Sequence, residues 1–410
     1  MAKAVDRKKQ NRLLLIIVAV ILVVTLATAA VLFALNYVDS GVYPESSATP
    51  KNVILLIGDG MGENHIEAGN IYRSNKLNME RFGVIGEVMT RSLTPGATDS
   101  AAAATAMATG VKTYNGRISY KDGKNLETIA EMAKEAGKKV GIVVTKPVTD
   151  ATPAAFVSHA KDRGDTAEIA RQIVDFGLDV LFGLTDEAMD ALKGEIPSDT
   201  RDLCTSFNEI AGSSKESVYG LLDDGAIQTV GSNTLNSLTG TALKKLSANN
   251  ENGFLLIVEG SKIDSASHDN DMESMLAELT AFDAAVSTCR NWAQENGETV
   301  VMVTADHETG GLKIPKFEDT DSGTAKQNAR EALTDYATSN GWFTKTGHTS
   351  ANVKYFIYAT GSELAQPAAP AEGEEPKTEY LEINYSVEMD IPEEIDNTDI
   401  FRLLSQWLLH

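Results

Sequence analysis

The sequence predicts an α/β fold with a mostly parallel central sheet, helices on both of its faces, and a transmembrane helix ahead of it. Three observations carry this reading. Near-continuous apolar runs of strand length recur along the chain, they alternate with longer stretches of helical character, and one long uncharged run stands behind a basic N-terminus. The chain has 410 residues, enough for one large domain or two ordinary ones. At 42% hydrophobic residues it is too apolar to be a disordered chain.

The N-terminal segment comes first. Residues 1–12 carry Lys3, Arg7, Lys8, Lys9 and Arg12 against a single acid, Asp6. The run from Leu13 to Leu35 follows, with Thr25 and Thr28 its only polar side chains. As a helix it is long enough to cross roughly 30 Å of hydrocarbon. The basic flank keeps the N-terminus in the cytoplasm and sends everything after Asn36 outside. Ala27-Thr28-Ala29 offers a small-residue cleavage site, but Val31 to Leu35 prolongs the apolar stretch beyond it. The expectation is therefore an uncleaved signal-anchor over 13–36, with secretion after signal cleavage as the alternative. Residues 37–50, polar and holding Pro, Ser and Gly, read as a tether, and 51–410 as the extracytoplasmic domain.

Within that domain the expected strands are 52–57, 139–145, 254–258, 299–304 and 353–359, rich in Val and Ile. The expected helices are 124–136, 165–176, 270–296 and 327–340. Residues 361–394, rich in Pro, Ala and acids with Lys377 the only base, read as an acidic insert. Residues 395–409 read as a closing amphipathic helix.

The net charge of −22 argues against nucleic acid as a partner. It leaves room for a small anionic substrate, because bound metal ions can reverse the local potential. Cys204 and Cys289 are the only cysteines, so one bridge or two free thiols are both open.

In an open α/β sheet, ligands sit beyond the carboxyl ends of the strands. The residues found there are Asp59 after the first strand, the stretch from Lys146 to Thr152 with Asp150 after the second, and Glu259, Asp264 and His268 after the third. Asp306 and His307 follow the fourth, and His348 precedes the last. One such residue alone is more often a cap, a turn or a salt-bridge partner. Together they are hard to read that way: four strand ends deliver carboxylates, with three of the six histidines beside them. Imidazole with carboxylate suits zinc, and oxygen donors without histidine suit magnesium. Ser100 stands just before an alanine run that favours helix, with Thr98 and Asp99 as cap types. A helix N-terminus favours an anion there, so Ser100 is either a nucleophile or simply part of a cap.

At these residues the sequence resembles the alkaline phosphatase family. The matching stretches are NVILLIGDGMG at 52–62, TDSAAAATAMATGVKT at 98–113, DATPAAFVSHAKDR at 150–163, VEGSKIDSASH at 258–268, VTADHETGG at 303–311, GHTSANV at 347–353 and DNTDI at 396–400. The resemblance implies a three-layer α/β/α sandwich, a homodimer, and hydrolysis of phosphate monoesters through a phosphoserine at Ser100. It implies two zinc ions, one on Asp264, His268 and His348, the other on Asp59, Asp306 and His307. It implies one magnesium on Asp59, Thr152 and Glu259, with Asp150 reaching it through water. Arg163 would grip two phosphate oxygens with its planar fork. His65, His159 and His410 match no ligand position. Two features depart from the family: Ser265 stands where members carry Lys, His or Trp, and the acidic insert is unusually long. A phosphodiesterase or sulfatase relative and a non-catalytic phosphate or metal binder are the rival readings. Ser100 in the phosphatase pattern, Arg163 and a complete donor set speak against them.

Overall fold

The computed structural model describes residues 50–317, 323–360 and 391–409. The chain divides into two units. The larger comprises Ala48–Glu388 with Pro392–His410, and the smaller, Met1–Ser47 with Met389–Ile391, lies almost wholly outside the described residues. The apolar run, most of the tether and residues 361–390 of the acidic insert lie outside them too, as does His410. Among the described residues no helix is long and apolar enough to cross a membrane.

In chain order the strands are β1 (Asn52–Gly58), β2 (Val84–Met89), β3 (Tyr120–Lys121), β4 (Lys124–Asn125), β5 (Lys139–Pro147), β6 (Val180–Leu184) and β7 (Arg201–Cys204). They continue with β8 (Ser217–Leu222), β9 (Phe254–Gly260), β10 (Thr299–Thr304), β11 (Glu308–Thr309), β12 (His348–Thr349), β13 (Val353–Thr360) and β14 (Glu394–Asp396). Ten of them form one sheet in the order β14-β2-β13-β10-β1-β9-β5-β6-β8-β7. Within it β13 runs against its neighbours β10 and β2, and every other described pairing is parallel. Two short antiparallel pairs, β3 with β4 and β11 with β12, stand outside it.

Strand β1 shows why the centre of the sheet forms here. In Asn52–Gly58 every residue after Asn52 is buried, because helices cover both faces. On one face pack the helices Ser100–Thr109, Ile129–Glu135, Ala151–Val157 and Asn397–Leu409; on the other pack Glu63–Arg73, Leu235–Ser247 and Met272–Asn296. This is the expected sandwich. Truncating a fully buried side chain such as Leu56 would cost about 2–5 kcal/mol.

The five expected strands all form, each with its bounds within two residues. The helices need two corrections. The stretch 124–136 is not helical throughout: Lys124–Asn125 pairs as β4, and the helix begins at Ile129. Thr128 caps it, accepting from Glu131 N–H at 3.1 Å while the Glu131 carboxylate accepts from Thr128 N–H at 2.8 Å. The stretch 327–340 is two helices, Gly323–Thr334 and Tyr336–Ser339, broken at Asp335. The closing helix Asn397–Leu409 buries Ile400, Leu403, Leu404, Trp407 and Leu408, the spacing of one helical face. Cys204 and Cys289 are both buried and unpaired, which settles the choice left open above.

Candidate active site

The nucleophile candidate owes its place to a helix made almost wholly of small residues. All ten residues of Ser100–Thr109 are buried, which alanine permits because its side chain needs little room between neighbouring helices. Asp99 is the cap: its Oδ1 accepts from Ala102 N–H at 3.0 Å, and its Oδ2 accepts from Gly116 N–H at 2.9 Å. Ser100 is thus relieved of capping and stands as the first helical residue, its Oγ 3.2 Å from His307 Nε2.

His307 Nε2 is the hub of a first donor group. It lies 3.1 Å from Asp306 Oδ2 and 3.8 Å from Asp59 Oδ1. The other Asp306 oxygen accepts from Gly60 N–H at 3.0 Å and from His307 N–H at 2.9 Å, which fixes the carboxylate. Gly60 can make this approach because it turns with φ of 77°, and a Cβ there would come within 2.9 Å of Asp264 Cα and of the Thr309 hydroxyl.

Asp264, His268 and His348 form a second group. Asp264 Oδ1 is 3.2 Å from His268 Nε2 and 3.6 Å from His348 Nε2, and the two Nε2 atoms are 3.1 Å apart. The groups adjoin, since the His307 and His348 rings stack at 3.6 Å, and Asp264, His307 and His348 can also converge on one point.

Partners behind the rings fix which nitrogen faces inward. Thr309 Oγ1 donates to Asp264 Oδ1 at 2.7 Å, so toward His307 Nδ1, 3.2 Å away, it can only accept. That puts the proton on Nδ1 and leaves Nε2 with its lone pair. His348 Nδ1 faces the Thr98 carbonyl at 2.8 Å, and His268 Nδ1 faces the Thr346 carbonyl. Carbonyls only accept, so both rings likewise turn a bare Nε2 inward. Two lone pairs 3.1 Å apart repel unless a cation lies between them.

An oxygen-only group borders the first: Asp59 feels the charge of Glu259, the penultimate residue of β9, and Glu259 feels that of Asp150, which caps the helix Ala151–Val157. Thr152 is buried on that helix. Lys146, at the end of β5, reaches across the end of β9 to Asp59 Oδ2 at 3.4 Å and Asp264 Oδ2 at 3.5 Å. Arg163 is held by two carboxylates, donating to Asp150 Oδ1 at 2.9 Å and to Asp99 Oδ2 at 3.4 Å.

The electrostatics are those of a site built around cations. Burial, then the neighbouring Asp306 and Asp264, pushes the Asp59 carboxyl well above the usual range. Burial, then Asp150, pushes Glu259 up to about 8. Burial lowers the His307 imidazole to about 4. Lys146 is half-buried, which disfavours its charge, but Asp59, Asp264, Asp150 and Glu259 outweigh this and hold it protonated. Asp59 Oδ1, Asp306 Oδ2 and both Glu259 oxygens are buried without a hydrogen-bond partner. Orphaned carboxylate oxygens beside inward-facing imidazoles fit divalent metal ions, because one half-buried ammonium, Lys146, cannot offset so many acids.

The family profile for alkaline phosphatase matches residues 50–183 and 201–384. Alkaline phosphatase 3 of Bacillus subtilis is 35% identical over 315 residues, covering 68% of this chain and 68% of its own. The chain belongs to the alkaline phosphatase family. It is a phosphatase enzyme, and phosphate monoesters are the substrates of its family. A cold-active alkaline phosphatase from a psychrophilic Shewanella superposes with a TM-score of 0.71 at 27% identity, covering 88% of this chain and all of that one, 100%. A TAB5 alkaline phosphatase variant solved with magnesium bound gives 0.66 at 30% identity, over 88% of this chain and 98% of that one.

Ser100, Asp59, Asp264, His268, Asp306, His307 and His348 come together in this cluster, and Glu259, Asp150 and Arg163 border it. His65 and His159 belong to neither donor group. His65 is buried, accepts from Gly62 N–H through Nδ1 at 3.2 Å, and contacts Ser267 Oγ at 3.0 Å. His159 follows its helix rather than lying on it, and packs between Glu131 and the Ser119 carbonyl. Asp99 caps as its residue type suggested, whereas Lys146 and Thr309 are the residues to which sequence reasoning gave no role. Lysine is no metal ligand at neutral pH, and a threonine two positions past a candidate histidine carries no distinctive pattern.

Proposed function

We propose that the chain hydrolyses phosphate monoesters through a phosphoserine on Ser100, at a site that takes two zinc ions and one magnesium. The observation that carries this is the Ser100 hydroxyl at the start of a buried helix, 3.2 Å from His307 Nε2 and beside two groups of inward-facing nitrogen and carboxylate donors. Asp264, His268 and His348 would hold one zinc, and Asp59, Asp306 and His307 the other. Asp59, Thr152 and Glu259 would hold magnesium, with Asp150 behind a water; the magnesium held by the TAB5 variant supports this part. Bound there, such ions supply Lewis acidity, easing deprotonation of serine and water and offsetting charge on the departing alkoxide.

The chain's own residues do the rest. Ser100 Oγ attacks phosphorus in line, forming the O–P bond as the P–O bond to the alcohol breaks; the alcohol leaves with the proton. The helix N-terminus faces the phosphoryl oxygens with backbone N–H groups. Arg163, oriented by Asp99 and Asp150, offers its fork to two of those oxygens, a fit for a dianion. Water then attacks phosphoserine, restoring the serine hydroxyl and releasing inorganic phosphate.

The basic flank and the apolar run over 13–35 support a membrane-tethered enzyme with its catalytic domain outside the cytoplasm. Activity should then stay with intact cells through a high-salt wash and leave with detergent, whereas a mature N-terminus near Ala30 would contradict the anchor. The reaction itself is tested by turnover of a chromogenic phosphate monoester with and without chelator. Loss of turnover on chelation and recovery with zinc plus magnesium is expected, and full activity in metal-free protein would refute the reading.

A further inference from the structure

Lys146 has no place in any of the donor sets, yet it stands among them. Its Nζ lies 3.4 Å from Asp59 Oδ2, 3.5 Å from Asp264 Oδ2 and 4.0 Å from Asp150 Oδ2. These carboxylates come from three separate segments, after β1, on the helix Lys262–His268 and at the cap of Ala151–Val157. The ammonium docks closely on none of them. It sits at a shared distance, longer than the roughly 2.7–2.9 Å of a tight charge-assisted bond. We propose that Lys146 is a tethered competitor of the magnesium-type ion, occupying the Asp59 and Asp150 carboxylates when that ion is away and setting how weakly the chain holds it. The inference rests on the assignment of the oxygen-only group as that ion's site.

The physical case is one of shared donors. Magnesium demands oxygens at about 2.0–2.1 Å in near-octahedral array. Asp59 Oδ2 cannot serve it in that way while also facing an ammonium, nor can Asp150 hold the ion's water with Lys146 in that place. Asp150 is further committed, because its Oδ1 accepts from Arg163 at 2.9 Å, so two cations already draw on one carboxylate. Binding of the ion therefore requires Lys146 to withdraw, and its four-carbon stem allows that. Lys146 is a positioning residue in this account. It touches the carboxylates that hold the ion, and its effect is read in ion affinity.

Zinc-loaded wild type, Lys146→Met and Lys146→Arg are titrated with magnesium by calorimetry, with bound metal counted by elemental analysis. Lys146→Met should bind magnesium about tenfold or more tightly than wild type, a coupling of the usual size between sites. Lys146→Arg, which keeps the charge, should stay close to wild type. Equal or weaker magnesium binding by zinc-loaded Lys146→Met overturns the proposal while leaving the metal reading intact; a wild-type chain that takes up neither metal overturns both. A second measurement needs no variant. Acylation of Lys146 in the wild type, followed by mass spectrometry, should rise several-fold when magnesium saturates, and labelling that does not respond to magnesium overturns the proposal.

Discussion

The Ser100 hydroxyl and the His307 imidazole meet at 3.2 Å across 207 residues of chain. Asp99 caps the helix itself, which leaves Ser100 free to serve as the proposed nucleophile. Ser100→Ala should therefore keep the fold, alanine being the better helix former. Turnover should fall by on the order of 10³-fold or more, because the covalent route is gone. Acid quenching with a labelled monoester should trap label on Ser100 in the wild type and none in the variant. Label on another residue would sink the assignment.

Arg163→Ala should weaken monoester hydrolysis far more than diester hydrolysis, by about 2 kcal/mol, the worth of a charge-assisted hydrogen bond. A monoester offers two free oxygens and a second negative charge to the fork; a diester offers less of both. Arg163→Lys should not restore the difference, lacking the planar pair of donors. Comparing kcat/KM on both ester classes checks this, and equal losses would make the arginine structural.

Metal removal should expose a pH-dependent weakness at Glu259. Its folded pKa, raised by burial to about 8, exceeds the ordinary value of 4.5. Between those values the native state keeps a proton that the unfolded chain has released, so stability falls as pH rises through that window. In chelator, wild type should lose at least about 1 kcal/mol more than Glu259→Gln between pH 5 and pH 8. Urea unfolding at the two pH values measures it, and parallel losses in the two proteins would count against the buried acid.

Gly60→Ala should be costlier than a conformational penalty alone. The φ of 77° disfavours any side chain, and the new Cβ would press within 2.9 Å of Asp264 Cα and the Thr309 hydroxyl. Gly123, with φ of 83° and open space around it, is the control. Gly123→Ala should cost about 1 kcal/mol. Gly60→Ala should cost about twice that and also weaken zinc uptake, by shifting the threonine that orients Asp264 and His307. Similar losses in both, with zinc uptake unchanged, would show that the close approach is not needed.

The strands legible in the sequence are those whose burial on both faces leaves an unbroken apolar run, β1, β5, β9, β10 and β13. The others hide for local reasons. Gly183 and Gly220 interrupt β6 and β8 because neighbours crowd them; a Cβ at Gly220 would come within 2.4 Å of Ile210 Cδ1. Strand β7 is short and lies at the sheet edge with polar residues showing. The start of the helix at Ile129 was readable from the Thr128 and Glu131 pair, whereas β4 depends on pairing with β3, which no local pattern announces. The candidate metal donors were legible because imidazoles and carboxylates at strand ends are chemically distinctive. Lys146 and Thr309 were not, since their roles depend on what the fold brings opposite them.

The helix Asn397–Leu409 packs against the nucleophile's helix, and Phe401 closes over Gly110 so tightly that a Cβ there would lie 2.7 Å from its ring. Lys112 ties the same two regions together, binding Asp396 at 2.9 Å and the Asn397 side chain at 2.5 Å. A ribosome therefore delivers Ser100 nearly 300 residues before the buttress that seats it. A chain halted short of that buttress holds the helix of Ser100 against Ala151–Val157 but lacks its closing partner, so truncation before Asn397 is expected to loosen the seat of the serine hydroxyl even though every candidate donor has been made.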